Sequence, residues 1–187
     1  MDRRQAIKRT AMIMGGLVFA PNAVGLLQGC TAKLEVDWEP VFFDSDQAHL
    51  LTVLSDVIIP SGETPGASEV GVPGFIEEMV TAVYNPEERE QFVAGLERFG
   101  RQAEEIHGER FTDLDPETQY EFAHKQNIAA LEGTEEHPPF FLVMKELTMM
   151  GYFTSEPGAT EVLRYEDVPG RYDACIPFEE VGRTWAT

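Results

Sequence analysis

The sequence predicts an all-α fold, a compact bundle of about five helices followed by a long irregular C-terminal tail. Three observations carry this. Apolar residues recur at helical spacing in five separate stretches, and no stretch alternates convincingly as a half-buried strand would. Capping residues and prolines stand at the expected starts: Asp44 or Ser45, Pro73, Asn85-Pro86, Asp115-Pro116 and Pro138-Pro139. After Gly151 the helical spacing stops, and a run rich in glycine, proline and aromatics begins.

The chain opens with Arg3-Arg4 and Lys8, then an uncharged stretch over residues 11–29. That stretch is short of the roughly 20 apolar residues of a membrane span and contains Gly, Pro and Asn. A charged start with a modest apolar core reads as an export signal, and the arginine pair favours the twin-arginine type over a general-secretion signal. The stretch closes on Leu27-Gln28-Gly29-Cys30, which resembles a lipoprotein cleavage box with Gln28 in place of the usual small residue. The expected organisation is a signal over residues 1–29, a tether over 30–43 and one domain over 44–187. Cys30 is the lipidation candidate, and a soluble exported protein cut nearby is the alternative. The expected location is the periplasmic side of a membrane, with lipid as the only membrane contact.

Four of the 14 basic residues and one of the 33 acidic residues precede Cys30. The remainder carries 10 bases and 32 acids, a net charge of −22. This argues against nucleic acid and anionic lipid surfaces as partners. About 158 residues suffice for a single core.

Trp38, Phe42 and Phe43 are the expected first anchors. The first helix runs through Ala48, Leu51, Leu54, Val57 and Ile58 and stops at Pro60. Pro73 opens the second, with the stripe Phe75, Ile76, Met79, Val80 and Val83. Phe92, Leu96, Phe99, Ala103 and Ile106 make the third the cleanest amphipathic helix, ended by His107-Gly108. The fourth, through Tyr120, Ala123 and Leu131, is less periodic. The fifth sets Phe140, Phe141, Met144, Leu147 and Thr148 on one face, with Gly151 placed for a positive-φ helix end. The tail is punctuated by Pro157-Gly158, Pro169-Gly170 and Pro177 and holds Tyr152, Phe153, Tyr165, Tyr172 and Phe178. A connecting loop should be short; an aromatic, proline-fixed run of this length should lie on a surface, its own core or a partner.

The run Gly151-Tyr152-Phe153-Thr154-Ser155-Glu156, followed by Tyr165, Pro169-Gly170, Tyr172 and Cys175, resembles the C-terminal motif of the gluconate 2-dehydrogenase subunit 3 family. Residues 50–77 resemble the family in their helix, proline-containing loop and Pro-Gly-Ala order. The likeness covers nearly all of the chain from about residue 44. It implies a non-catalytic small subunit of a flavin-dependent, GMC-type sugar or polyol dehydrogenase. The chain itself shows no GxGxxG, CxxCH or CxxC, so FAD is expected in the large partner, with a cytochrome c subunit as a further candidate partner. The flavoprotein in this family often lacks a signal and is carried out on that of the small subunit. Partner-contact candidates are Tyr152, Phe153, Glu156, Tyr165, Pro169, Tyr172 and Cys175. Tyrosines suit such a role, having a large rigid ring and a polar tip. Three states are open to Cys175: a buried thiol, a bridge to an unlipidated Cys30, or a disulfide to the flavoprotein.

Two other classes compete. One is a stand-alone helical envelope lipoprotein that binds or scaffolds. The other is a di-iron enzyme built on Glu104-x-x-His107 and Glu121-x-x-His124, with Glu77, Glu78 or Glu146 completing the set. His107 at a helix end and Glu104 off the apolar stripe speak against the metal. His49 and His137 are expected at exposed helix starts.

Overall fold

The structure, a computed structural model, describes residues 38–133, 139–168, 170 and 175–186. The expected signal, Arg3, Arg4, Cys30, His137, Pro169 and Tyr172 lie outside these residues. Five helices of seven residues or more form the bundle: α1 (Ser45–Ile58), α2 (Val72–Glu78), α3 (Pro86–His107), α4 (Pro116–Glu132) and α5 (Phe140–Thr154). A short α6 (Phe178–Val181) lies in the tail. No strand occurs among the described residues, only one isolated bridge between Arg164 and Trp185.

The helix starts follow from local chemistry. Asp44 caps α1 by accepting from the N–H groups of Asp46 and Gln47, and the Gln47 amide oxygen accepts the Asp44 N–H in return. Asn85 and Glu88 form the same reciprocal box on α3, with Pro86 next in the chain. Asp115 caps α4 through Glu117 and Thr118, again followed by proline. Helix α3 ends as expected on Gly108, whose φ of 78° releases the carbonyl ladder into a left-handed turn.

Helix α5 is the hub, touching all four other long helices. It buries Phe141, Met144, Leu147, Thr148, Gly151 and Tyr152. Gly151 differs from the sequence expectation. The helix continues through it to Thr154, and its φ is not positive. Its use is close approach: a Cβ there would lie 2.6 Å from the Phe75 ring of α2. Gly95 does the same for α3 and Phe140. Around Phe99, the rings of Phe111 and Phe122 lie at centroid distances of 4.9 and 5.1 Å, both edge-on. Buried hydroxyls close onto their own helices. Ser55, Thr52 and Thr148 each donate to a carbonyl four residues back.

Several apolar residues assigned to the core face solvent instead. Ile106 (65 % exposed) lies in the last turn of α3, beyond the packed region. Val83 ends the five-residue π-helical turn, Met79–Val83, that continues α2; its extra residue per turn rotates the stripe outward. Tyr120 and Leu131 project from α4, which buries Gln119, Phe122, Ala123 and Ala130.

The described part of the tail contains regular turns. Residues of Gly158–Val162 form another π-helical turn. Further on, Arg164 gathers the C-terminal residues. Its guanidinium donates to the Val181 carbonyl at 3.1 Å and lies 4.3 Å from the Trp185 ring centroid, while its backbone pairs with Thr184 and Ala186.

Candidate functional site

The sequence points to the tail as the working surface, and the structure divides its candidates. Tyr152 is core, 2 % exposed, and its hydroxyl donates to the Pro65 carbonyl at 2.8 Å. It fastens the end of α5 to the loop before α2, which is the core reading of the two the sequence left open for this tail. Its neighbour Phe153, about 100° further round the helix, turns outward and meets the Tyr152 ring edge-on at 5.3 Å. Glu156 is exposed. Tyr165 is 54 % exposed, and its hydroxyl donates to Asp167 at 3.1 Å rather than to the core. Cys175 is an exposed thiol, which removes the buried-thiol state from the three open to it. Phe153, Glu156, Tyr165 and Cys175 thus remain accessible.

The four residues of the di-iron pattern are all exposed. The His107 ring rests edge-on against Phe122, and the His124 ring stacks flat on Tyr120. Among the described residues no group of three His, Cys, Asp or Glu converges in metal-binding geometry. Glu77, offered to that pattern, is buried and has another task. Its Oε1 accepts the backbone N–H groups of Val41, Phe42 and Phe43 at 3.0, 2.7 and 3.1 Å. Successive N–H groups converging on one anion form a nest, and hydrogen bonds to a charged acceptor stabilise by about 1.5–3 kcal/mol each. The chain is thereby pinned where it joins the fold. Phe43 then enters the core beside Phe92, and Arg89 lies over Phe42. Trp38, Phe42 and Phe43 were legible as anchors; Glu77, more than thirty residues away, was not.

His49 is half-buried rather than exposed, with Nε2 enclosed and without a hydrogen-bond partner among the described residues. It borders a cavity of about 280 Å³ between α1 and α3. The charged groups there are already matched. Arg110 donates to Asp113 at 2.7 Å and faces Asp46 at 3.7 Å, and Arg101 faces Glu97 at 3.6 Å. Hydrogen bonding and charge from Asp113 push the Arg110 guanidinium pKa still higher. A second, shallower groove of about 140 Å³ runs between α1, α4 and α5, walled by Val57, Ile58, Tyr120, Phe141 and Lys145.

These features define a small helical domain that presents accessible apolar and aromatic side chains, with most of its described acids on the surface. The gluconate 2-dehydrogenase subunit 3 family matches residues 45–170, well over half of the chain, and the chain belongs to that family. It is thus related to an accessory subunit of a dehydrogenase. No curated protein and no solved structure matches it.

Proposed function

We propose that this chain is the non-catalytic small subunit of a flavin-dependent, GMC-type sugar or polyol dehydrogenase. It carries the catalytic subunit through twin-arginine export, stabilises it, and holds it at the membrane through lipid on Cys30. The family match over residues 45–170 carries the reading. The N-terminal pattern of Arg3-Arg4, a weakly apolar stretch and Leu27-Gln28-Gly29-Cys30 supports the export and anchoring parts. A folded-protein export route suits a flavoprotein, which must take up FAD before it leaves the cytoplasm. The accessible Phe153, Glu156, Tyr165 and Cys175 supply contacts, together with Pro169 and Tyr172 from the same motif. A cytochrome c subunit is the proposed third component, receiving electrons from the flavin.

The test is export. Replacing both Arg3 and Arg4 by lysine should leave this chain and the flavoprotein in the cytoplasm, read as loss of periplasmic dehydrogenase activity. Activity that still reaches the periplasm ends the carrier role. Cys175 is proposed to bridge to the flavoprotein. A non-reducing gel of the complex, with thiol exchange blocked during lysis, should show one band at the summed mass. Reductant or Cys175→Ser should split it, and two bands from the unreduced wild type reject the bridge.

A further inference from the structure

Helix α4 has two apolar faces, and among the described residues only one of them has a partner. The inner face sets Phe122 and Ala123 against the core. The outer face carries Tyr120 (60 % exposed), Ile128 (43 %) and Leu131 (64 %), with His124 among them. Positions 120, 124, 128 and 131 are separated by four, four and three residues, which aligns them along one side of a helix. The stripe is about 16 Å long at 1.5 Å per residue. The Tyr120 and His124 rings lie 5.8 Å apart with planes 5° from parallel, so its first half is a flat platform. Single exposed apolar residues are ordinary. Three in register on one helix, beside a groove, form the pattern by which helices and extended segments are received.

The charge lining the groove beside this stripe differs from that of the rest of the molecule. From Cys30 onward acids outnumber bases 32 to 10. The sequence has four lysines, at positions 8, 33, 125 and 145, so the domain from residue 44 onward holds two. Both border this face: Lys145 walls the groove, and Lys125 is next to His124. No carboxylate lines the groove. Lys145 donates to the neutral amide oxygen of Asn127 at 3.4 Å and pairs with no carboxylate among the described residues. Acids stand close by in the sequence: Glu146 follows Lys145 on α5, and Glu117, Glu121 and Glu132 lie along α4. Glu121 faces Lys125 at 3.9 Å, and Glu117 and Glu132 stand at the two helix ends. The groove therefore complements an apolar segment that carries its own carboxylate. A second copy of this chain fits poorly, because two bodies of charge −22 would have to approach.

We infer that the outer face of α4, with the groove walled by Lys145, docks an apolar, carboxylate-bearing segment of the flavoprotein subunit. This rests on the function proposed above and assigns it a surface separate from the tail motif. The test uses the full-length chain co-expressed with the flavoprotein, and the complex is purified and titrated. If the wild-type chain brings down no stoichiometric flavin-bearing subunit, the proposed function itself fails, and this surface with it. With that complex in hand, Ile128→Asp combined with Leu131→Asp should weaken it about a hundredfold, about tenfold for each anchor lost. Lys145→Glu should weaken it about tenfold. The melting temperature of each free variant should match that of wild type. If the double variant melts lower, Lys145→Glu and Tyr120→Ser decide instead. Wild-type affinity in the well-folded variants overturns the inference. So does a wild-type chain that dimerises alone and becomes monomeric on Ile128→Asp with Leu131→Asp, since the occupant is then a second copy.

Discussion

Helices α3 and α4, the two longest described, begin alike: an Asn or Asp cap, a proline, then glutamate in the first turn. They diverge in how their apolar residues are distributed. In α3, Phe92, Leu96, Phe99 and Ala103 all point inward, and the helix ends on a left-handed glycine. In α4 the apolar residues divide between a buried side and an exposed side, and Gly133 at its end stays extended at φ −64°. The weak periodicity of α4 thus reflects two apolar faces rather than few apolar residues. A helix that packs on one side only reads cleanly from sequence. One that also keeps an apolar strip outside its own domain reads as irregular, although each face is regular taken alone.

The sharpest way to break the comparison is at the inward face of α3. Phe99→Ala should cost about 3–5 kcal/mol, because its buried ring packs against Phe111 and Phe122 and its removal leaves a cavity. Denaturant unfolding of the free chain measures it, and a loss below about 1 kcal/mol would mean that α3 is not the packed face. Next comes Glu77→Ala, expected to cost about 3 kcal/mol by stripping three backbone donors of their acceptor. Hydrogen exchange should accelerate at Val41, Phe42 and Phe43 ahead of the helices. Exchange that speeds up uniformly would show that the pin is not local. Removing the α3 cap with Asn85→Ala should cost about 1 kcal/mol, read as a lower midpoint with an unchanged denaturant slope.

On the outer face of α4 the free chain should be indifferent. Ile128→Ser and Leu131→Ser should each change stability by no more than about 0.5 kcal/mol. A larger loss would make α4 a one-faced helix like α3. The smallest effect concerns the cap of α4. Hydrogen bonds from Thr118, side chain and backbone, hold the Asp115 pKa below its ordinary value. A carboxylate with a depressed folded pKa stabilises above its unfolded pKa, and that contribution fades as pH falls through the folded one. Asp115→Asn keeps an acceptor for the helix but cannot titrate. The melting-temperature difference between wild type and variant should therefore shrink below about pH 4. A difference that stays constant through that range would mean that the carboxylate charge is not what the cap uses.

The helix starts, the all-α class and the family likeness could be read from the sequence, because their causes are local. A cap reaches two or three residues along the chain, as Asp44, Asn85 and Asp115 do, and a motif needs no partner to be recognised. Only the tertiary structure decided which apolar residues depart from the expected stripes. It sent Tyr152 to the core through Pro65, 87 residues away, and turned Tyr120, Leu131, Val83 and Ile106 outward. It also gave Gly151 a close-packing role where its position suggested a turn, and made Glu77, one of three glutamates that could have completed a metal set, a pin for Val41, Phe42 and Phe43. In each case the deciding atoms come from a distant part of the chain. Periodicity records that a side chain is apolar or acidic, but burial depends on whether another element arrives to cover it.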